Sequence, residues 1–176
     1  DGEQLFFWCN SAESNSSLYE KLRYSMRQIF NLYQQMEGQA VALKNSIYYQ
    51  YHPPMVTRES ILEDMDALPP RKTMNDKYYI GFFKRDKLIA VMDLVMNYPK
   101  KKTAFIGLFM MDVNYQNKGI GSSVIGEVLS YLKSENYEKI RLGVDKGNPQ
   151  SYSFWNKNGF VTVEENQYII MERIIM

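Results

Sequence analysis

The chain has 176 residues, of which 45% are hydrophobic and 23% are charged. This length and composition suit one compact domain with its own core, and they exclude a disordered chain. Its 21 basic and 20 acidic residues give a formal net charge of +1. The chain therefore lacks the strong positive field that holds proteins on nucleic acids or anionic membranes.

Cysteine and histidine each occur once, as Cys9 and His52. One cysteine forms neither an internal disulfide nor a thiolate metal cluster, which is typical of proteins from a reducing compartment. No apolar run approaches the roughly 20 residues that cross a bilayer, and the first residues show no signal-peptide pattern. We therefore predict a cytoplasmic protein with no metal ion, no membrane association and no nucleic-acid partner.

Residues 1–75 have mainly the pattern of helices. Apolar side chains recur at three- and four-residue spacing over 18–36, which predicts a helix that ends near Gly38. A second helix is predicted over 57–68, where Pro69-Pro70 prevents its continuation.

From residue 78 onward the sequence has the pattern of strands with intervening helices. In chain order, the predicted strands are Tyr78–Lys84, Lys87–Tyr98, Thr103 to about Val113, Lys139–Asp145 and Tyr168–Ile175. The predicted helices are Ser122–Ser134 and Pro149–Asn158. A strand, a helix and a strand in succession imply a parallel crossover, hence an α/β domain around a mixed sheet.

The loop over 112–122 joins a predicted strand to a predicted helix and contains Gly119 and Gly121. Backbone amides of such a loop, with the positive end of the helix dipole, can bind a phosphate or pyrophosphate. The dinucleotide-binding fingerprint does not match, because the next glycine after Gly121 is Gly126. The nucleoside-triphosphate loop does not match either, because Glu127 occupies the position of its phosphate-binding lysine. On this motif alone, a loop that merely connects strand to helix is an equal alternative.

Two motifs in order along the chain resemble those of the GNAT superfamily of acyl-CoA-dependent N-acyltransferases. The first, QNKGIG, matches the family pattern Gln/Arg-x-x-Gly-x-Gly/Ala at Gln116, Gly119 and Gly121. The second, NPQSYSFWNKNGF, places Asn148 at the start of a helix that ends in the pair Gly159-Phe160. Two motifs at independently predicted strand and helix positions are far more specific than either one alone.

The resemblance implies an α/β (α+β) fold with a mixed, mostly antiparallel central sheet, a splayed parallel strand pair and flanking helices. It covers about residues 78–175, which would form the acyl-CoA-binding core. Residues 1–75 would form the helical, acceptor-side part of the same single domain, 1–176. The implied cosubstrate is acetyl-CoA, and no metal ion is implied.

The resemblance also implies which residues contact the cosubstrate. The loop amides would hold the pyrophosphate of coenzyme A, and the backbone over 109–113 would pair with the pantetheine arm. Asn148 would contact the coenzyme where the two parallel strands separate, although such a residue is also an ordinary helix cap. The predicted coenzyme contacts are Met111, Val113, Gln116, Asn117, Lys118, Gly119, Ile120, Gly121, Ser122, Asn148 and Trp155.

The sequence departs from the family pattern in two places. Trp155 stands where many members carry a tyrosine that protonates the leaving sulfur, and the strand 104–108 lacks the glutamate base of some members. Tyr152, one helical turn before Trp155, is the candidate acid, and packing of its ring against the coenzyme or the core is the alternative. Further candidates for proton transfer are Asp93, Asp112, Asp145 and His52.

An aromatic cluster before the first predicted hairpin is the candidate acceptor wall, represented by Tyr48, Tyr51 and His52. We predict an N-acetyltransferase in which a bound amine attacks the thioester directly. The different-class alternative is an acyl-CoA-binding regulatory module without turnover. The sequence does not identify the acceptor, which is a small-molecule or peptide amine, and it leaves a homodimer open.

Overall fold

A computed structural model of the chain describes residues 6–7, 51, 63–84 and 87–175. The helix predicted over 18–38 lies outside these residues. The chain divides into two units, one formed by 1–94 with 108–115 and the other by 95–107 with 116–176. The strand Thr103–Met111 is therefore divided between the two units.

The first unit contains strands β1 (Phe6–Phe7), β2 (Lys77–Lys84), β3 (Lys87–Val95) up to residue 94, and the end of β4 (Thr103–Met111). The strand order is β1-β2-β3-β4, and β1 is antiparallel to β2. Apolar residues of both alternating sets along β3 are buried, which is the pattern of a strand covered on both faces. The core of this unit therefore lies around β3.

A short helical segment, 63–66, lies between β1 and β2 in the chain. It belongs to the helix predicted over 57–68, whose earlier residues lie outside the described part. The segment ends before Pro69-Pro70, as predicted, and a 3₁₀ turn at Met74–Asp76 leads into β2.

The second unit contains the start of β4, helix α1 (Ile120–Ser134), β5 (Lys139–Asp145), helix α2 (Pro149–Lys157), β6 (Val161–Glu165) and β7 (Tyr168–Ile174). Its strand order is β4-β5-β7-β6. β4 and β5 are parallel, whereas β7 is antiparallel to both of its neighbours. The predicted fold class is confirmed: a mixed, mostly antiparallel sheet with one parallel pair and flanking helices.

The core of the second unit lies on one face of its strands. Ile140, Leu142 and Val144 alternate along β5 as buried residues, which is the pattern of a strand covered on that face. α1 buries one stripe at three- and four-residue spacing, which consists of Gly121, Val124, Ile125, Val128 and Leu132. Because α1 connects two parallel strands, a right-handed crossover places it over the sheet.

Several predicted boundaries are wrong by a few residues, and two of the described strands were not predicted. β3 ends at Val95 rather than Tyr98, because Asn97 adopts a left-handed φ of 53° in a turn. β4 ends at Met111, because the 3₁₀ turn Val113–Tyr115 follows it. The unpredicted strands are the two-residue β1 and β6, and all residues of β6 are exposed. Among the described residues, no helix is long and apolar enough to span a membrane.

Candidate functional site

The loop between β4 and α1 turns sharply into the helix. Asn117 and Gly119 adopt left-handed φ values of 57° and 79°. A Cβ atom at Gly119 would meet no other atom within 4 Å, so the space beside this backbone is open. The glycine therefore provides both the left-handed turn and an unobstructed approach to the backbone.

Gly119 is also the N-cap of α1, so the cap residue has no side chain to accept a hydrogen bond from the first turn. The amide of Ser123 donates to the carbonyl of Gly119 at 3.0 Å, which begins the helical ladder. The amides of residues 120–122 precede that ladder. These amides and the helix dipole are the groups that the sequence predicted to bind an anion, and this role stays a prediction.

A side-chain hydrogen bond connects this loop to the start of α2. Gln150 Nε2 donates to Gln116 Oε1 at 3.1 Å, across 34 positions of sequence. Gln116, the first residue of the QNKGIG motif, is half-buried, whereas Asn117 and Lys118 are exposed. The two sequence motifs therefore meet within the second unit.

Asn148 is the N-cap of α2, which is one of the two roles predicted for it. Its side chain is buried, and its Oδ1 accepts a hydrogen bond from the amide of Ser151 at 3.0 Å. Pro149 occupies the first helical position, where its missing N–H costs nothing. The amide of Asn148 donates to the carbonyl of Asp145 at 3.1 Å, which connects the cap directly to the end of β5.

Trp155 and Tyr152 differ in their surroundings. Trp155 is 5% exposed and packs edge-to-face against Phe154 and Phe160, with ring centroids 5.0 Å apart in both pairs. The Tyr152 hydroxyl lies 3.4 Å from Thr162 Oγ1 on β6, and β7 separates β6 from β5. Tyr152 is 36% exposed, so its ring is not buried in the core, and its acid role stays a prediction.

The parallel ladder between β4 and β5 is short. It begins at the pair Thr103 and Lys139 and ends at the pair Ile106 and Leu142, although β5 continues to Asp145. Beyond Leu142, β5 remains paired only on its β7 side in these ladders. The resemblance implied two parallel strands that separate along their length. Here the ladder between β4 and β5 ends before either strand does.

Met111 and Val113, the predicted pantetheine contacts, belong to the first unit. Met111 is buried at the end of β4, and Val113 is 40% exposed. Between them, the Asp112 carboxylate accepts hydrogen bonds from the amide and the side-chain Nδ2 of Asn114, at 2.9 and 2.8 Å. Asp112, a candidate for proton transfer, therefore stabilises the turn that follows β4.

Asp93, another candidate, belongs to a buried ion pair in the first unit. Its Oδ2 lies 3.1 Å from Lys77 Nζ, and the lysine side chain is 0% exposed. Burial raises the pKa of Asp93 to about 6, against the opposing attraction of Lys77. Lys77 also donates to the carbonyls of Asp64, at 2.8 Å, and of Ala67.

Sequence reasoning missed Lys77, although a signal was present. A carboxylate within an apolar strand requires a cation or a hydrogen-bond donor nearby, and Asp93 interrupts such a strand. The pair connects β3 and β2 to the residues that follow the helical segment 63–66. This arrangement is structural in character.

The predicted acceptor wall is mostly outside the described residues. Tyr51 is helical and half-buried, whereas Tyr48 and His52 lie outside the described part. The assignment of these three residues to the acceptor stays a prediction. In the described ranges, no group of three His, Cys, Asp or Glu side chains could hold a metal ion.

Comparison with known proteins gives one family match and several similar structures. Residues 29–160 match the family described as the acetyltransferase (GNAT) family. An acetyltransferase from Thermus thermophilus is 14% identical, with 97% of each chain covered and a TM-score of 0.70. GCN5 from Tetrahymena is also 14% identical, with 97% of this chain and 96% of that chain covered and a TM-score of 0.62.

A third similar structure is the PaiA N-acetyltransferase from Thermoplasma acidophilum in complex with coenzyme A. It is 18% identical, with 96% of this chain and 98% of that chain covered and a TM-score of 0.56. These likenesses establish the fold, and the family match covers most of the sequence. The chain belongs to the GNAT family of acetyltransferases, which transfer an acyl group from coenzyme A.

Proposed function

We propose that the chain is an acetyl-CoA-dependent N-acetyltransferase in which a bound primary amine attacks the thioester directly. The observation that carries this proposal is the N-terminus of α1, where the left-handed Gly119 caps the helix and the amides of residues 120–122 precede the helical ladder. It lies on the crossover between parallel strands, next in sequence to β4. The similar fold of the Thermoplasma acidophilum protein, which is in complex with coenzyme A, supports the same cosubstrate.

In this proposal, the amides of residues 120–122 bind the coenzyme pyrophosphate, and Lys118 adds a positive charge nearby. The hydrogen bond between Gln116 and Gln150 would hold the loop against the start of α2. The backbone at Met111 and Val113 would contact the pantetheine arm. The remaining proposed coenzyme contacts are Asn117, Gly119, Asn148 and Trp155.

The chemistry is an acyl transfer in which a C–N bond forms and the C–S bond breaks. The amine nitrogen attacks the carbonyl carbon, and the coenzyme leaves as a thiolate. A thiol has a pKa of about 8.5, so its thiolate can leave without a side-chain acid. Backbone N–H groups on the β5 edge beyond Leu142 would stabilise the oxyanion, where the ladder with β4 has ended.

Deprotonation of the amine is the larger demand. An alkylammonium with a pKa of about 10.4 costs roughly 4 to 5 kcal/mol to neutralise at pH 7. A side chain or a relayed water acting as general base would contribute about 10²–10⁴-fold. Asp112 is occupied in a turn and Asp93 in an ion pair, which leaves Asp145, His52 or a relayed water for this step.

The second candidate function is an acyl-CoA-binding module that has lost turnover. Two features of the sequence favour this module. Trp155 occupies the position of the family's acid, and residues 104–108 contain no carboxylate. Calorimetry with acetyl-CoA, together with thiol release measured against a panel of primary amines, separates the two functions. Binding with amine-dependent thiol release supports the acetyltransferase, whereas binding without release from any amine supports the module.

A further inference from the structure

One side-chain hydrogen bond joins the loop before α1 to the first turn of α2. Gln150 Nε2 donates to Gln116 Oε1 at 3.1 Å, and both residues belong to the second unit. Gln116 lies four positions before Ile120, the first residue of α1, and Gln150 is the second residue of α2. The bond therefore connects the N-terminal ends of the two helices that carry the two sequence motifs.

The α2 end of this bond is fixed by further hydrogen bonds. Asn148 is 7% exposed, and its Oδ1 accepts from the amide of Ser151. Its own amide donates to the carbonyl of Asp145, at the end of β5, and its carbonyl accepts from the amide of Tyr152 at 3.2 Å. Gln150 lies between these bonded residues, so its backbone has a fixed position relative to β5.

The loop end of the bond is more exposed. Residues 117–119 are all exposed, and Asn117 and Gly119 have left-handed φ values where the loop turns into α1. An exposed loop has few buried apolar contacts, so a hydrogen bond to a fixed partner is a substantial part of what holds it. α2 is therefore the fixed support, and the loop depends on Gln150 for its position.

We propose, on the basis of the coenzyme contacts in the proposed function, that this hydrogen bond is a latch that retains bound coenzyme A. The proposed contacts include the loop amides and Asn148, and the bond joins the two elements that carry them, so its loss lets these elements separate. Gln150 is then a positioning residue, which acts on the coenzyme through Gln116. The latch lowers the dissociation rate constant, whereas the association rate constant stays the same because the approach to Gly119 is open.

Gln150→Met tests the latch, because methionine has a similar length, suits a helix and has no N–H to donate. The probe is etheno-coenzyme A, a fluorescent analogue that excess coenzyme A displaces in a stopped-flow experiment. We expect the dissociation rate constant to rise about twofold to tenfold, the range for one net hydrogen bond, and the association rate constant to stay unchanged. Asn156→Ala is the control, since it removes an exposed side-chain amide from later in the same helix. If the methionine variant does not fold, Gln150→Ala replaces it.

A double-mutant cycle separates the latch from the direct coenzyme contacts of Gln116. Gln116→Met removes the acceptor of the bond together with those contacts. Because Gln150 acts only through Gln116, adding Gln150→Met to Gln116→Met should cause no further rise in the dissociation rate constant.

The side-chain amide of Gln150 reports whether the latch stays closed. In ¹⁵N spectra of protein saturated with coenzyme A, the loss of its signals in Gln150→Met identifies them. We expect its hydrogen-bonded proton to exchange with water more slowly than the side-chain amide protons of the exposed Asn156.

Three results would overturn the latch. The first is an unchanged dissociation rate constant in folded Gln150→Met. The second is an association rate constant that rises by the same factor, because the bond would then obstruct entry rather than retain the coenzyme. The third is additive effects in the cycle, or a Gln150 amide that exchanges as fast as that of Asn156.

These measurements use no amine, so they separate the latch from the proposed function. Faster coenzyme dissociation in Gln150→Met, without thiol release from acetyl-CoA and any primary amine, would contradict the acetyltransferase and keep the latch. Amine-dependent thiol release with unchanged coenzyme dissociation in Gln150→Met would do the reverse. A protein that binds no coenzyme A would contradict both.

Discussion

Removing one partner of the buried pair Lys77 and Asp93 should destabilise the protein nearly as much as removing both. Asp93→Asn leaves a fully buried ammonium without its carboxylate, which costs about 3–5 kcal/mol in the free energy of unfolding. Lys77→Met leaves the carboxyl, which can bind a proton. Protonating a carboxyl with an ordinary pKa of 3.8 costs about 4 kcal/mol at pH 7. The unpaired Asp93 carboxyl therefore lowers the free energy of unfolding of Lys77→Met by at most this amount.

The double variant Lys77→Met/Asp93→Asn has no unpaired charge at this site, so its loss should be smaller than the sum of the single losses. We expect a coupling free energy of at least about 2 kcal/mol in the double-mutant cycle. Urea unfolding at pH 7, followed by circular dichroism, measures each value. Glu138→Gln is the control, because the ion pair of Glu138 with Lys102 is exposed, and its removal should have a much smaller effect.

The pH dependence of stability provides a second readout of the same pair. The pKa of Asp93 is raised from 3.8 to about 6, so the native protein binds this proton more tightly than the unfolded chain. The resulting stabilisation is complete below pH 3.8 and is lost as the pH rises through about 6, by about 3 kcal/mol in total. Asp93→Asn should lack this component. Additive single losses, or a parallel pH profile in Asp93→Asn, would refute the reasoning.

Three further predictions concern the site. Gly119→Asp should weaken acetyl-CoA binding at least about tenfold more than Gly119→Asn in calorimetry, because both residues tolerate a left-handed φ but only aspartate repels a pyrophosphate; equal affinities would remove the loop from the site. Tyr152→Phe should keep kcat within about twofold at saturating acetyl-CoA, since its hydroxyl contacts Thr162, whereas a loss of about 10²-fold would restore the acid role. Tyr51→Ala should raise the KM for the amine and leave that for acetyl-CoA unchanged, and the reverse pattern would remove Tyr51 from the acceptor wall.

Periodic segments were predictable from the sequence because their own side chains determine their form. β5 has the predicted bounds, and α1 starts two residues before Ser122, at Ile120. The Asn148 cap and its Pro149 followed from local preferences. β1 and β6 were missed because β1 has only two residues, and because β6 is exposed on both faces and alternates in polarity only at Val161 and Val163.

Contacts between distant parts of the sequence were not predictable. Lys77 reaches Asp93 and two carbonyls before Pro69, and no local pattern indicates which cation pairs with a buried carboxylate. Gly107 and Gly143 both lie directly after the last ladder pair because of the register between β4 and β5. Burial of one face of β5 excludes a one-residue shift, but a two-residue shift would keep the same face buried and place the glycines apart.

The most direct test of the central claim is identification of both products of one reaction. The protein is incubated with [¹³C₂]acetyl-CoA and each of a panel of primary amines at pH 8, and free thiol and the N-acetylated amine are quantified together, the latter by mass spectrometry. We expect labelled amide and coenzyme A in a 1:1 ratio, with both rates reduced together in Gly119→Asp. Coenzyme A released without labelled amide, across all of the primary amines tested, would contradict the claim that the chain is an N-acetyltransferase.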